Sequence, residues 1–290
     1  MSVKRRDPLT GHQTTGHEWD GITELNTRVP RAVWWSIGVT HVWALIVWIL
    51  LPAWPLWAIY THGLLGTDQK DQVERRVEAA NRERAPWADP IAGMSVDQIR
   101  ADGALMDRVN QTAPALFGDN CAACHGLDAA GGPGFPSLID DAWLWGDDPE
   151  AILETLRVGI NAAHPDTRVA QMPAFGRDGI LSRDEVRTVA AYARSLSGGT
   201  AEPDAAAAGA TLFADNCASC HGAAGIGDTE VGAPDLTDSF WIYGGDEASL
   251  FKTVMDGRQG WMPSWEDRLT VTDRKILAAY LLELGQGGMR

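Results

Sequence analysis

The chain reads LFGDNCAACHG at Leu116–Gly126 and LFADNCASCHG at Leu212–Gly222, so that nine of eleven letters repeat, including every Cys and His. All four cysteines of the protein lie in these two elements. No thiol is left for a separate disulfide framework or a lone nucleophile, and one chemistry is used twice.

C-x-x-C-H is the attachment signature of a c-type haem. Cys121 and Cys124, one helical turn apart, can add to the two vinyl groups as thioethers, and His125 then lies under the iron as its proximal ligand; Cys217, Cys220 and His221 repeat the arrangement. The competing readings are a zinc ligand pair and a redox dithiol. Zinc would need four ligands close together, whereas the two pairs stand 93 to 99 residues apart, and a dithiol does not need His after the second Cys.

Haem iron has a sixth position to fill. QMPAFG follows the first motif and WMPSWE the second, placing Met172 47 residues after His125 and Met262 41 residues after His221. A thioether on iron favours the reduced state and suits an electron carrier. The Pro after each Met fits an extended loop. Met as a core filler is the bland alternative. His164 is the only rival ligand, and it has no counterpart in the second copy. By default each Met pairs with the haem of its own repeat, although an exchange between the repeats stays open.

Around these loops the copies remain parallel. DAWLWGDDPEAILETLRVGI precedes the first Met and LSRDEVRTVAAYARSLS follows it; DSFWIYGGDEASLFKTVMDG and LTVTDRKILAAYLLELG do the same in the second copy. Each copy is thus expected to have a helix on either side of its Met loop. Ser182 and Glu185 form a capping box, Val186, Val189, Ala190 and Ala193 an apolar face, and Ile276, Leu277, Tyr280 and Leu281 its equivalent. No strand signal of similar strength intervenes. The haem supplies much of a core that so short a domain would otherwise lack.

Val33–Leu51 contains no Asp, Glu, Lys or Arg, and the uncharged run continues to Tyr60. It is long enough to cross a bilayer, and too long and too far from the N-terminus for a signal peptide. The alternative is a buried helix of a soluble protein. Trp34, Trp35, Trp54 and Trp57 sit where aromatic rings favour headgroups, and Pro52 and Pro55 kink or end the helix. Lys4, Arg5, Arg6, Arg28 and Arg31 precede the span, but Lys70, Arg75 and Arg76 follow it, so charge does not settle orientation. His41, the only ionisable side chain in the span, reads as structural, bonded to neighbouring backbone. Asp68–Arg84 alternates charges as a solvated helix would, and Ser197–Gly209 reads as a short linker. Of the net charge of −15, residues 106–290 carry −14, which disfavours nucleic acid and favours a basic partner.

The layout resembles the membrane-anchored di-haem c subunit (subunit III, CcoP) of cbb3-type cytochrome c oxidases. The likeness rests on HEWDGITELNTRVPRAVWW (His17–Trp35), the PAWPLW exit from the membrane, both C-x-x-C-H repeats, QMPAFG and WMPSW, and so covers nearly the whole chain. It implies an all-α protein with one N-terminal transmembrane helix followed by two class I cytochrome c domains in tandem. The expected parts are a cytoplasmic segment (1–31), the membrane helix (32–60), a charged arm (61–105), the first cytochrome domain (106–198), a linker (199–207) and the second domain (208–290). It implies two covalent haem c groups, attached at Cys121, Cys124, Cys217 and Cys220, with iron ligands His125, Met172, His221 and Met262. It also implies a subunit with no reaction of its own. In aerobic or microaerobic respiration it would accept electrons from a c-type cytochrome and pass them, through a mono-haem c subunit, to the haem–copper subunit that reduces O2. The haem domains would face the periplasm and the N-terminus the cytoplasm of a bacterial inner-membrane protein. A freestanding di-haem carrier is the alternative; a di-haem peroxidase would need one open iron, against which two Met-Pro loops speak.

Overall fold

The computed structural model describes residues 6–199 and 203–288, and the chain divides after Glu83 into two compact units. Lys4 and Arg5, and Thr200–Glu202 of the expected linker, lie outside the described residues.

In the first unit, β1 (Thr14–Trp19) and β2 (Ile22–Leu25) pair as an antiparallel hairpin, an addition to the helical class. Its two-residue turn is Asp20-Gly21, both at positive φ (47° and 87°), a pairing that matches the twist of the flanking strands. Then α1 (Arg31–Leu50) runs for 20 residues, with no side chain buried. It is long and apolar enough to cross a membrane. It stops well before the expected end at residue 60. Pro52 and Pro55 have no amide hydrogen to continue the ladder, and the chain turns instead into a second small hairpin, β3 (Pro55–Leu56) with β4 (Ile59–Tyr60). The carbonyls that α1 leaves open are closed from downstream: Leu64 and Leu65 donate to Ile49 and Leu50 at 2.9 and 3.0 Å. A Cβ on Gly63 (φ +69°) would collide with the Leu50 carbonyl, so this return needs glycine. The His41 Nδ1–H donates to Ile37 O at 2.7 Å, the backbone bond expected of it.

The charged helix α2 (Gln69–Ile91) is solvated over its first four turns, but Ala88 and Ile91 at its end are buried. The turn just past its end is held by Lys275, whose ammonium donates to Ala92 O and Met94 O at 2.8 and 2.6 Å. After α3 (Val96–Ala101), held by a Ser95–Gln98 capping box, come α4 (Gly103–Asn120), the one-turn α5 (Ala122–His125) and α6 (Pro149–Val158) of the first repeat. There follow α7 (Arg183–Leu196), then α8 (Pro203–Asn216), α9 (Ala218–His221), α10 (Glu247–Asp256) and α11 (Val271–Gly288). Ala205, Ala206 and Ala207 of the expected linker therefore belong to α8. Ile91, Val96 and Ile99 are completely buried with α4 and α11, so the end of the expected arm is core.

The repeats are tandem in sequence but exchanged in space. The first core combines α4 and α6 of repeat one with α11 of repeat two; the second combines α7 of repeat one with α8 and α10 of repeat two. An aromatic pair shows the exchange. Phe117 on α4 meets Tyr280 on α11 with ring centres 6.4 Å apart, and its equivalent Phe213 on α8 meets Tyr192 on α7 at 5.5 Å. The two crossings differ in closeness: a Cβ at Gly209 of α8 would lie 2.5 Å from the Tyr192 Cβ, whereas α4 carries the buried Ala113 at the equivalent place. The apolar faces expected on α7 and α11 are the buried ones, with Val186, Val189, Ile276 and Leu277 at 0–1% exposure. Since Phe117 is 2% exposed beneath α11, Phe117→Ala should destabilise the protein by ~3–5 kcal/mol in thermal or denaturant unfolding. A loss below ~1 kcal/mol would mean that α4 does not depend on the second repeat's helix.

Candidate haem sites

Each C-x-x-C-H element is one helical turn between a long helix and a glycine in the left-handed region, Gly126 (φ +77°) or Gly222 (φ +75°). Asn120 and Asn216 bond back to Leu116 O and Leu212 O, fixing the turn before each motif. The imidazoles are oriented identically. Nδ1 of His125 lies 3.0 Å from Pro136 O, and Nδ1 of His221 lies 3.0 Å from Pro234 O. A carbonyl only accepts, so Nδ1 carries the proton and Nε2 keeps its lone pair for a metal. Burial pushes both histidines below the usual imidazole range, with the carbonyl bond opposing it, which keeps them neutral at pH 7. Burial also pushes the Cys121 and Cys217 thiols up to about 11, so each is protonated, as addition of S–H across a vinyl group requires.

One continuous cavity of about 2000 Å³ takes in both motifs; His125, His221, Met172 and Met262 all line it. Each methionine packs with the core of the other repeat's motif. Met262 of repeat two packs in the first core with Cys121, and Met172 of repeat one in the second core with Cys217. Backbone hydrogen bonds place them there: Met262 exchanges both bonds with Ile160, just past α6, and Met172 exchanges both with Arg258, just past α10. A Cβ on Gly159 (φ +69°) would strike Met262 O, and one on Gly257 (φ +70°) would strike Met172 O, so a glycine ends each helix where the other repeat's Met-Pro loop crosses it.

His164 is not a rival ligand. Its Nδ1 accepts from the Asp166 amide at 3.0 Å, and its Nε2–H donates to Glu266 at 2.8 Å, so both ring nitrogens are committed. That bond, with Arg157 nearby, holds the Glu266 carboxyl below the usual range.

A pair of arginines completes the sites. Arg168 and Arg258 stand four residues before Met172 and Met262. Arg168 stacks on Trp145 with its guanidinium carbon 4.8 Å from the ring centre, and Arg258 on Tyr243 at 4.2 Å. The Arg168 Nε is the one buried side-chain polar atom without a partner among the described residues. Arg168 is not itself a lining residue of the cavity, but Trp145, on which it stacks, and Arg258 are. A donor left unpaired against a lining side chain fits an anionic group such as a haem propionate. The recurring Arg-x-x-x-Met spacing was the signal for these residues in the sequence. The loops after the motifs also cross: Gly134 of repeat one donates to Ile242 O at 2.8 Å, and a Cβ on its equivalent Gly232 would strike Trp145.

Residues 11–58 match a family model described as the N-terminal domain of cytochrome oxidase-cbb3, FixP. Residues 111–197 match cytochrome c, and residues 204–281 match cytochrome c oxidase, cbb3-type, subunit III. The chain is 49% identical over 286 residues to the cbb3-type cytochrome c oxidase subunit FixP of Bradyrhizobium sp. (strain ORS 278), covering 97% of each chain. The chain belongs to the FixP/CcoP family of cbb3-type cytochrome c oxidase subunits. CcoP subunits of Azospirillum sp. (strain B510) and Cereibacter sphaeroides are 42% and 43% identical to it, over 99% of this chain and 100% of theirs. As a FixP/CcoP family member it is an oxidase subunit of electron transport with covalent haem c in its cytochrome c domains. Its apolar helix α1 falls inside the FixP N-terminal match.

Proposed function

We propose that this subunit carries two covalent haem c groups with exchanged axial pairs, His125 with Met262 and His221 with Met172. It takes electrons from a donor c-type cytochrome and delivers them to the mono-haem c subunit, and through it to the haem–copper subunit that reduces O2. Helix α1 anchors it in the bacterial inner membrane, with the N-terminus cytoplasmic and residues after the span periplasmic. The observation that carries this reading is the single cavity in which each Cys-His motif meets a Met-Pro loop. The haem supplies reversible one-electron exchange when bound. Around it, Cys121 and Cys124, or Cys217 and Cys220, hold the macrocycle covalently. The Pro136 and Pro234 carbonyls fix the tautomer that offers Nε2. Were Met172 and Met262 to hold the irons, they would leave no position for O2 or peroxide, which favours transfer over catalysis or gas sensing.

The loops that line the cavity bring carboxylates together. Asp238 is raised above the usual range by burial, with Asp235, Asp140 and Asp141 adding to it. Such a surface steers a basic donor, and its association should weaken with salt. Detergent-solubilised protein is expected to co-migrate with the haem–copper subunit on native gels and to show two low-spin haems that do not take up CO at neutral pH. Migration without that subunit would defeat the assignment.

A further inference from the structure

The repeats match almost element for element, except that residues 160–168, INAAHPDTR, stand where the second repeat has Arg258 alone: Ile160 makes the backbone bonds of Arg258, Arg168 its aromatic stack, and the residues between are extra. This insertion lies where the two Met-bearing strands cross. Arg168 stays with the first half over Trp145, and the chain crosses through residues 169–171 to place Met172 in the second. Arg258 stays with the second half over Tyr243, and the chain crosses back through residues 259–261 to place Met262 in the first.

Asn161 sits between the two connectors. Its Nδ2 donates one hydrogen to Ala170 O at 2.8 Å and the other to Gly260 O at 2.7 Å, while its Oδ1 accepts from the Ala170 amide at 3.2 Å. Ala170 and Gly260 occupy the same place, two residues before Met172 and Met262. One amide thus holds both connectors at equivalent points, and the geometry needs only one such clamp for the pair. The residue itself is held in the left-handed region at φ +50°, which Asn tolerates, and its own amide donates to Arg168 O at 2.8 Å.

We infer that Asn161 is a positioning residue for both haem irons: a single side chain that sets the reach of Met172 and Met262 together, so that loosening it weakens both axial bonds. This rests on the exchanged ligation proposed above. The test compares Asn161→Ala, Asn161→Gly and Asn161→Asp in the full-length, detergent-solubilised protein, reading CO uptake by each haem and the Met-to-iron charge-transfer absorbance. Covalent haem content should be unchanged in all three. Both haems should become CO-reactive, with the equilibrium for Met release shifted about tenfold at each, the size of one net hydrogen bond. Gly keeps the backbone conformation and loses the side chain, and Asp keeps the shape and the acceptor but loses both donated hydrogens. Both should therefore behave like Ala, and Asp carries the test if the Ala variant accumulates poorly. Wild-type behaviour of the Gly variant, or an effect on one haem only, would overturn the inference. Met172→Leu and Met262→Leu separate the two levels. If they open the haems and the Asn161 variants do not, the clamp alone is wrong; if they leave the spectra unchanged, the ligation is wrong.

Discussion

A fragment of residues 84–199 should fail to fold into a stable haem-holding domain, although it contains the whole first repeat. Its core lacks α11, and Met262 is absent. Ile99, Val109, Phe117 and Leu156, at 0–5% exposure in the intact protein, lie in the core that α11 completes. Burial of a large apolar side chain contributes ~1.5–3 kcal/mol, so uncovering four costs on the order of 10 kcal/mol, comparable with the ~5–15 kcal/mol stability of a whole domain. Residues 169–258 behave differently. That continuous segment contains Met172, α7, α8, the second motif and α10, which together make the second core. It is a cytochrome c half whose segments follow one another in permuted order. It should give a cooperative thermal transition by circular dichroism and retain covalent haem, while 84–199 gives a low, broad transition or none. A stable, haem-holding 84–199 beside an unfolded 169–258 would show instead that the repeats fold as independent domains.

Met172→Leu and Met262→Leu should each lower the midpoint potential of one haem by on the order of 100 mV, since the thioether favours the reduced iron, and leave both haems attached. The affected haem should be the one bound by the other repeat: Met172→Leu acts on the group held by Cys217 and Cys220, Met262→Leu on that held by Cys121 and Cys124. In a potentiometric titration each variant moves one of two components. A variant that moves neither removes that Met from the ligand set.

Local chemistry was legible in the sequence. The motif fixes the attachment turn, and the apolar spacings of α7 and α11 name the faces that are buried. The Asp20-Gly21 turn was equally readable, but it lies outside the repeated region and is flanked by short, exposed strands. Helix α1 ends before the uncharged run does, as Pro52 and Pro55 indicate in the sequence: the run measures solvent preference, while the prolines decide hydrogen bonding. The exchange was not legible, for a physical reason. The repeats are similar enough that Tyr192 and Tyr280 can serve either Phe117 or Phe213, so the pattern of apolar residues is the same for both pairings. What selects between them is the crossing itself, where glycines at the ends of α6 and α10 admit the opposite Met loop and Asn161 ties the connectors. An insertion in one copy marks that place in the sequence without revealing its direction.

The most direct test of the exchanged pairing uses a protein with one haem removed. In a Cys121→Ala, Cys124→Ala, His125→Ala background the remaining haem is the one held by Cys217, Cys220 and His221, and its Met-to-iron charge-transfer absorbance can be followed alone. Adding Met172→Leu should abolish that absorbance, and adding Met262→Leu should leave it intact. The opposite result, loss with Met262→Leu and survival with Met172→Leu, would contradict the exchange and return each methionine to its own repeat.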